Sequence, residues 1–131
     1  LQQNRNKVVI DSSALLAFWK EESGWQNVEA YEGKCLISAV NAAEVISTLI
    51  KNGVQPIKAK AAVDEFVTDI ISYDDEQAYT TGQFITEGKK IGLSLGDRAC
   101  LSLGMQKHLP VLTGDTIWEK AKLDVEIILF R

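Results

Sequence analysis

Val8, Val9 and Ile10 are three consecutive β-branched residues followed by an acid, Asp11, and two hydroxyl residues, Ser12 and Ser13. An apolar run without alternation reads as a strand covered on both faces, as in a parallel sheet layered between helices. Ser12 and Ser13 are good N-cap residues for a helix beginning at Ala14, so the chain is expected to turn directly after Asp11. An acid at the carboxyl end of such a strand sits on the edge where open α/β sheets bind ligands. Taken alone, Asp11 is most simply a helix-capping carboxylate, favoured by the helix macrodipole. What the other strands present at the same edge decides between capping and chemistry.

The rest of the chain repeats the alternation of strand and helix. Ala14 to Lys20 reads as a short helix with Leu15, Phe18 and Trp19 toward the core, and Ser23 to Tyr31 as another. Lys34 to Ala39 reads as a second strand, followed by a helix from Asn41 to Lys51 with an apolar stripe of Val45, Ile46, Leu49 and Ile50. Pro56 opens the next helix, and Asp69 to Tyr73 reads as a third strand. Asp75 to Glu87 is amphipathic, with Gly88 as its expected stop. A helix running through Gln106 precedes a fourth strand, Pro110 to Thr113; Thr116 to Lys122 reads as a short helix and Val125 to Phe130 as a last strand. About five short strands joined by helices predict a three-layer α/β/α sandwich with a roughly five-stranded parallel sheet. The expectation is a single domain over residues 1–131, with its core at about 7–130.

Composition narrows the function classes. Hydrophobic residues make up 46% and charged residues 24%, with no apolar run approaching a membrane span. Residues 1–6 are too polar for a signal peptide. Cys35 and Cys100 fall in a predicted strand and a predicted helix with no second Cys or His nearby in sequence, so both read as small buried hydrophobes of a reduced, cytoplasmic protein. The net charge of −4 argues against holding nucleic acid by a basic surface alone. There are 18 acids against 14 bases, so four acids neutralised together would leave the chain balanced.

Four acids do have related positions. Asp11 ends the first strand, Asp115 follows the fourth, Glu44 lies in the first turn of the helix after the second, and Asp97 opens the helix before the fourth. Asn41-x-x-Glu44, Ser94-x-x-Asp97 and Thr116-x-x-Glu119 match or approximate capping boxes, which is the structural explanation for each taken singly. In a parallel sheet, however, the strand-to-helix turns share one edge, which gathers Asp11, Glu44 and Asp115. Asp97 joins them if its helix begins at that edge too. Crowded carboxylates repel unless they are protonated or bridged by cations, and an oxygen-only ligand set suits Mg²⁺ or Mn²⁺.

Val-Val-Ile-Asp11-Ser-Ser13-Ala-Leu-Leu-Ala, Ile-Ser-Ala-Val-Asn-Ala-Ala-Glu44-Val, Gly92-Leu-Ser-Leu-Gly-Asp97-Arg98-Ala-Cys-Leu and Leu-Thr113-Gly-Asp115 together resemble the PIN-domain nucleases, and within them the VapC toxins of toxin–antitoxin pairs. Each motif is weak alone, but the ordered set runs from about Lys7 to Phe130. The resemblance implies a Mg²⁺- or Mn²⁺-dependent endoribonuclease with Asp11, Glu44, Asp97 and Asp115 as its acidic quartet and Ser13 and Thr113 as supporting hydroxyls. It also implies an RNA substrate, a cognate antitoxin that occupies the site, and a homodimer. Many relatives carry Arg directly after the last Asp, where this chain has Thr116.

Metal-assisted hydrolysis needs no histidine, and the one histidine, His108, falls in a predicted turn before Pro110, which disfavours a metal-free ribonuclease built on paired imidazoles. Arg98 is open to two readings, phosphate contact or surface ion pair. Lys51, Lys58, Lys60, Lys89 and Lys90 read first as a solvated face, and Trp19, Trp25 and Trp118 as core or dimer packing. Two other functions compete. A receiver-like phospho-acceptor domain shares the length and the Asp after the first strand, but it would need an acidic pair where Ser12-Ser13 stand and a Lys after the last strand. A PIN-like scaffold that binds protein without catalysis is the stronger competitor, and the intact quartet argues against it.

Overall fold

A computed structural model describes residues 7–131; the polar stretch 1–6 lies outside the described residues. Five strands form one sheet: β1 (Val8–Ile10), β2 (Cys35–Ser38), β3 (Asp69–Ile71), β4 (Val111–Thr113) and β5 (Ile127–Leu129). Their order is β3-β2-β1-β4-β5, and every neighbouring pair is parallel, with Val9 beside both Leu36 and Val111 in register. The helices are α1 (Ser12–Lys20), α2 (Trp25–Glu29), α3 (Ala39–Lys51), α4 (Pro56–Phe66), α5 (Asp75–Gln83), α6 (Ile85–Ile91) and α7 (Leu95–Lys107), with a 3₁₀ turn at Thr116–Lys120. No helix among the described residues is long and apolar enough to cross a membrane.

The apolar run in β1 is buried throughout, and its alternate residues serve opposite faces. Val8 and Ile10 join a core with Leu15, Val28, Val45, Leu49, Val63 and Phe66, under α1 to α4. Val9 faces the other way, into a core with Leu101, Leu103, Val111 and Trp118, under α7 and the 3₁₀ turn. The three layers follow directly. Each edge strand is three residues long, which limits the unpaired backbone exposed for association.

The strand order separates this chain from receiver domains, whose flavodoxin-like sheets run 2-1-3-4-5. Here β1 lies between β2 and β4, and the chain leaves it for α1 on one face while β4 leads to the 3₁₀ turn on the other. The crevice where those connections diverge lies at the carboxyl ends of β1 and β4.

Several local expectations need correction. The helix after β1 begins at Ser12 because Asp11 itself is the N-cap, its side chain accepting from the Ala14 N–H. The helix after β2 begins at Ala39, capped by Ser38, so Glu44 lies in the second turn and Asn41 is an interior residue. The last short helix is a 3₁₀ turn capped by Asp115 through the Ile117 N–H, so Thr116 and Glu119 form no capping box. Gly88 does not end a helix: the segment breaks at Phe84, continues as α6 and stops at Gly92, whose φ of 76° is the left-handed conformation that favours glycine. Gly88 is buried because the Arg98 side chain crosses it, with Cδ 2.9 Å from where a Cβ would sit. Trp19 is 45% exposed rather than turned to the core, whereas Trp118 is buried.

Candidate active site at the carboxyl edge of the sheet

Asp11 follows β1 with its backbone N–H still bonded to the Leu112 carbonyl, so the sheet ladder holds it from below. Asp11 is 4% exposed. Oδ1 accepts from the Ala14 N–H at 2.9 Å and from the Ser13 hydroxyl at 2.7 Å, and Oδ2 accepts from the Thr113 hydroxyl at 2.6 Å. The single Ser13 proton is shared with Oδ2 at 2.9 Å, so three donors serve two oxygens and acceptor capacity remains.

Both hydroxyls also accept from the backbone that follows β4. Thr113 Oγ1 accepts from the Asp115 N–H at 3.1 Å, and Ser13 Oγ accepts from the Gly114 N–H at 3.4 Å. Thr113 thus links Asp11 to the backbone that carries Asp115. Replacing it with valine, which has nearly its shape, leaves a buried carboxylate oxygen and an amide N–H without their partner. We expect Thr113→Val to lower unfolding stability by about 1–3 kcal/mol, read from denaturant midpoints at unchanged slope.

Asp97 enters from the opposite helical layer at the start of α7. The expected capping box is present: Ser94 Oγ accepts from the Asp97 N–H at 3.1 Å, and Asp97 Oδ2 accepts from the Ser94 N–H at 2.9 Å. Glu44 approaches from α3, its Oε1 taking the Asn41 amide at 2.8 Å. Asp115 gives Oδ1 to the Ile117 N–H at 3.1 Å.

Charge couples these acids. Burial pushes the Asp11 carboxyl up from 3.8 to about 6 against the opposing hydrogen bonds of Thr113, Ser13 and Ala14, and the Asp97 charge adds to the rise. The Asp97 carboxyl is also raised, by burial first and then by the charges of Glu44 and Asp115, while Ser94 pulls the other way. Beneath them the buried Cys100 thiol is held well above its ordinary value, mainly by burial and also by Asp11, Asp97 and Glu44. All four predicted acids therefore lie within electrostatic reach at one edge: the shared topology of the turns gathers Asp11, Glu44 and Asp115, and the start of α7 at the same edge adds Asp97.

Among the described residues no three Asp, Glu, His or Cys side chains are drawn into a closed cation cage. Each acid instead takes a local donor. The donor chemistry nevertheless fits a hard divalent ion. Glu44 Oε2, Asp97 Oδ1 and Asp115 Oδ2 have no hydrogen-bond partner among the described residues, and an ion held between them and Asp11 would offset both the burial of charge that chiefly raises Asp11 and Asp97 and the repulsion that adds to it.

Arg98 makes no ion pair among the described residues. Its Nη1 donates to the Thr81 carbonyl at 2.9 Å, fastening α7 to α5. Asn41, expected to open a capping box, is instead buried and contacts both Glu44 and α7; its i, i+3 spacing from Glu44 is the sequence signal for the first of those contacts. A groove of about 690 Å³ lies away from the acids, lined by Phe18, Trp19, Val54, Lys58, Ala62 and Phe66.

Comparison with known proteins agrees with this arrangement. No curated protein sequence matches significantly. Among solved structures, a chain of a toxin–antitoxin complex from Klebsiella pneumoniae superposes with a TM-score of 0.73 at 19% identity, covering 95% of this chain and 98% of that one. A chain of VapBC2 from Rickettsia felis, bound to a DNA fragment from their promoter, gives 0.71 at 15% identity, covering 94% and 98%. Mycobacterium tuberculosis VapC20, described as a sarcin–ricin loop cleaving toxin, gives 0.68 at 11% identity, covering 91% and 98%. At these identities the likeness is one of fold. The PIN domain family profile matches residues 8–123, nearly the whole of the described chain and all four acids, and on that match the chain belongs to the PIN domain family of nucleases.

Proposed function

We propose that this protein is a Mg²⁺- or Mn²⁺-dependent endoribonuclease of the VapC type, the toxin half of a toxin–antitoxin pair, with Asp11, Glu44, Asp97 and Asp115 holding the ion. The observation that carries the reading is the meeting of four carboxylates from four separate elements at the β1–β4 crevice, two of them raised by burial and by their neighbours' charge. Local capping accounts for Asp11, Asp97 and Asp115 but not for Glu44, and it gives no reason for bringing like charges together.

When bound, a divalent ion lowers the pKa of a water and neutralises charge on the phosphoryl oxygens. The chain's own residues supply the support. Ser13 and Thr113 hold the Asp11 carboxylate in one orientation across β1 and β4, and the Ser94 box holds Asp97 at the start of α7. Such fixed placement on rigid elements is what a reacting phosphodiester requires. Imidazole acid–base chemistry has no comparable support. His108 ends α7, about eleven residues and roughly 16 Å along the helix from Asp97.

The toxin assignment, RNA as substrate, homodimerisation and inhibition by an antitoxin rest on the motif resemblance and on solved relatives described as toxin–antitoxin complexes. Purified protein is expected to cut structured RNAs with Mn²⁺ or Mg²⁺ and to stop on chelation. Expression is expected to arrest growth, with relief by a co-expressed neighbouring gene product. Chelator-resistant cleavage would refute the ion's role, and absence of any nuclease activity would favour a binding-only scaffold.

A further inference from the structure

We propose that Asn41 is a positioning residue: with Gly96 it clamps the Glu44 carboxylate against the start of α7 and thereby sets the affinity of the acidic edge for a divalent cation. The inference rests on the proposed reading of the four acids.

Two independent features converge on Glu44. The Asn41 amide nitrogen donates at once to Glu44 Oε1 at 2.8 Å and to the Gly96 carbonyl at 3.1 Å. Both contacts are acceptors, so the amide can face them only through its NH₂, and its orientation is determined. Gly96 is the second feature. A Cβ there would lie 2.8 Å from Glu44 Cδ and 2.9 Å from Oε1, so the carboxylate rests where any other residue would put a methyl group. Gly96 is helical with no positive φ, hence close approach rather than backbone freedom accounts for the glycine.

The clamp costs stability locally. Asn41 is 1% exposed, and its Oδ1 is buried without a partner. An unsatisfied buried acceptor is unfavourable, and a leucine of similar size would avoid it. What asparagine contributes is the link itself. α3 belongs to the helical layer on one face of the sheet and α7 to the layer on the other, and Asn41 joins them over the sheet's carboxyl edge, beside Asp97. Glu44 and Asp97 feel each other's charge, so their separation bears directly on how well they share an ion. Outer residues that orient metal ligands typically alter affinity by roughly 10–100-fold.

The test is Mn²⁺ binding to the purified, chelator-stripped protein, followed by the loss of the free-ion electron paramagnetic resonance signal, with thermal melting in parallel. Asn41→Leu is expected to melt close to the unsubstituted protein yet to bind Mn²⁺ at least tenfold more weakly. Gly96→Ala should do the same with Asn41 intact, since alanine favours the helix while its methyl displaces the carboxylate. In cleavage, both variants should need more Mn²⁺ for half-maximal rate and recover most of that rate at saturation. A purely structural role would lower melting and leave the affinity of the folded protein unchanged. If Glu44→Gln weakens binding while Asn41→Leu and Gly96→Ala bind like the unsubstituted protein, this inference fails and the quartet stands. If the unsubstituted protein binds no Mn²⁺, the quartet reading itself fails, and this inference with it.

Discussion

Asp97→Asn and Asp11→Asn are each expected to reduce cation-dependent cleavage by about 10²–10³-fold while leaving the fold intact, a loss typical of removing one preorganised electrostatic group. The isosteric amide at position 97 can still accept the Ser94 N–H through its oxygen, and the Asp97 N–H that bonds Ser94 Oγ belongs to the backbone, so the capping box survives. At position 11 the amide oxygen can keep the Ala14 N–H, while the amide nitrogen meets Thr113 with the donor direction reversed. What disappears in both is one negative charge at an edge where charges are already crowded. Initial rates on a labelled structured RNA, paired with circular dichroism, separate lost chemistry from lost structure. Full activity in the Asp97→Asn protein would remove that acid from the site.

The second large effect concerns stability without the ion, and its sign is unusual for a carboxylate. Folded Asp11 titrates near 6, against 3.8 for the free group. Between those values the native protein holds a proton that the unfolded chain has released, so stability falls as pH rises through this window. Asp11 stabilises fully below about pH 3.8, and the contribution is lost above about pH 6, amounting to about 3 kcal/mol. Asp97 acts in the same direction. The exposed Asp74 and the half-buried Glu87, both lowered, act oppositely, so the comparison is best made between the unsubstituted protein and Asp11→Asn rather than on one protein alone. Asp11→Asn is expected to be the more stable of the two at pH 8 without divalent ions, with the difference shrinking toward pH 4. Mn²⁺ at about a thousand times its dissociation constant should reverse the order, because it adds about 4.1 kcal/mol to the protein that binds it, more than the penalty it must offset. Equal stability of the two proteins at pH 8, with and without Mn²⁺, would contradict the burial of a charged Asp11.

These expectations were legible in the sequence to different depths. The unbroken apolar run of β1 and the acid after it needed only local information, and the structure places both as expected. The convergence of Asp11, Glu44 and Asp115 followed from the rule that parallel strands share a carboxyl edge, whatever the strand order, whereas Asp97 depended on where its helix begins. The order itself depends on which strands pair across the whole chain. It took the structure to set β1 between β2 and β4 and so to exclude a receiver arrangement. Helix starts slipped where two capping residues competed: Asp11 and Ser38 took positions that Ser12, Ser13 and Asn41 could also have filled. Gly88 misled for a different reason. Glycine commonly stops helices, but here it makes room for Arg98, a contact between segments that no local pattern reports. Asn41 was visible as a residue three before Glu44; its bond to Gly96, 55 positions away, was not.

Ion-dependent hydrolysis at the Asp11 edge is tested most directly by the ends of the cut RNA. With Mn²⁺ present, cleavage by the unsubstituted protein is predicted to leave 5′-phosphate and 3′-hydroxyl termini, because water rather than the neighbouring 2′-hydroxyl attacks, and to vanish on chelation. Fragments ending in 2′,3′-cyclic phosphate would contradict the account.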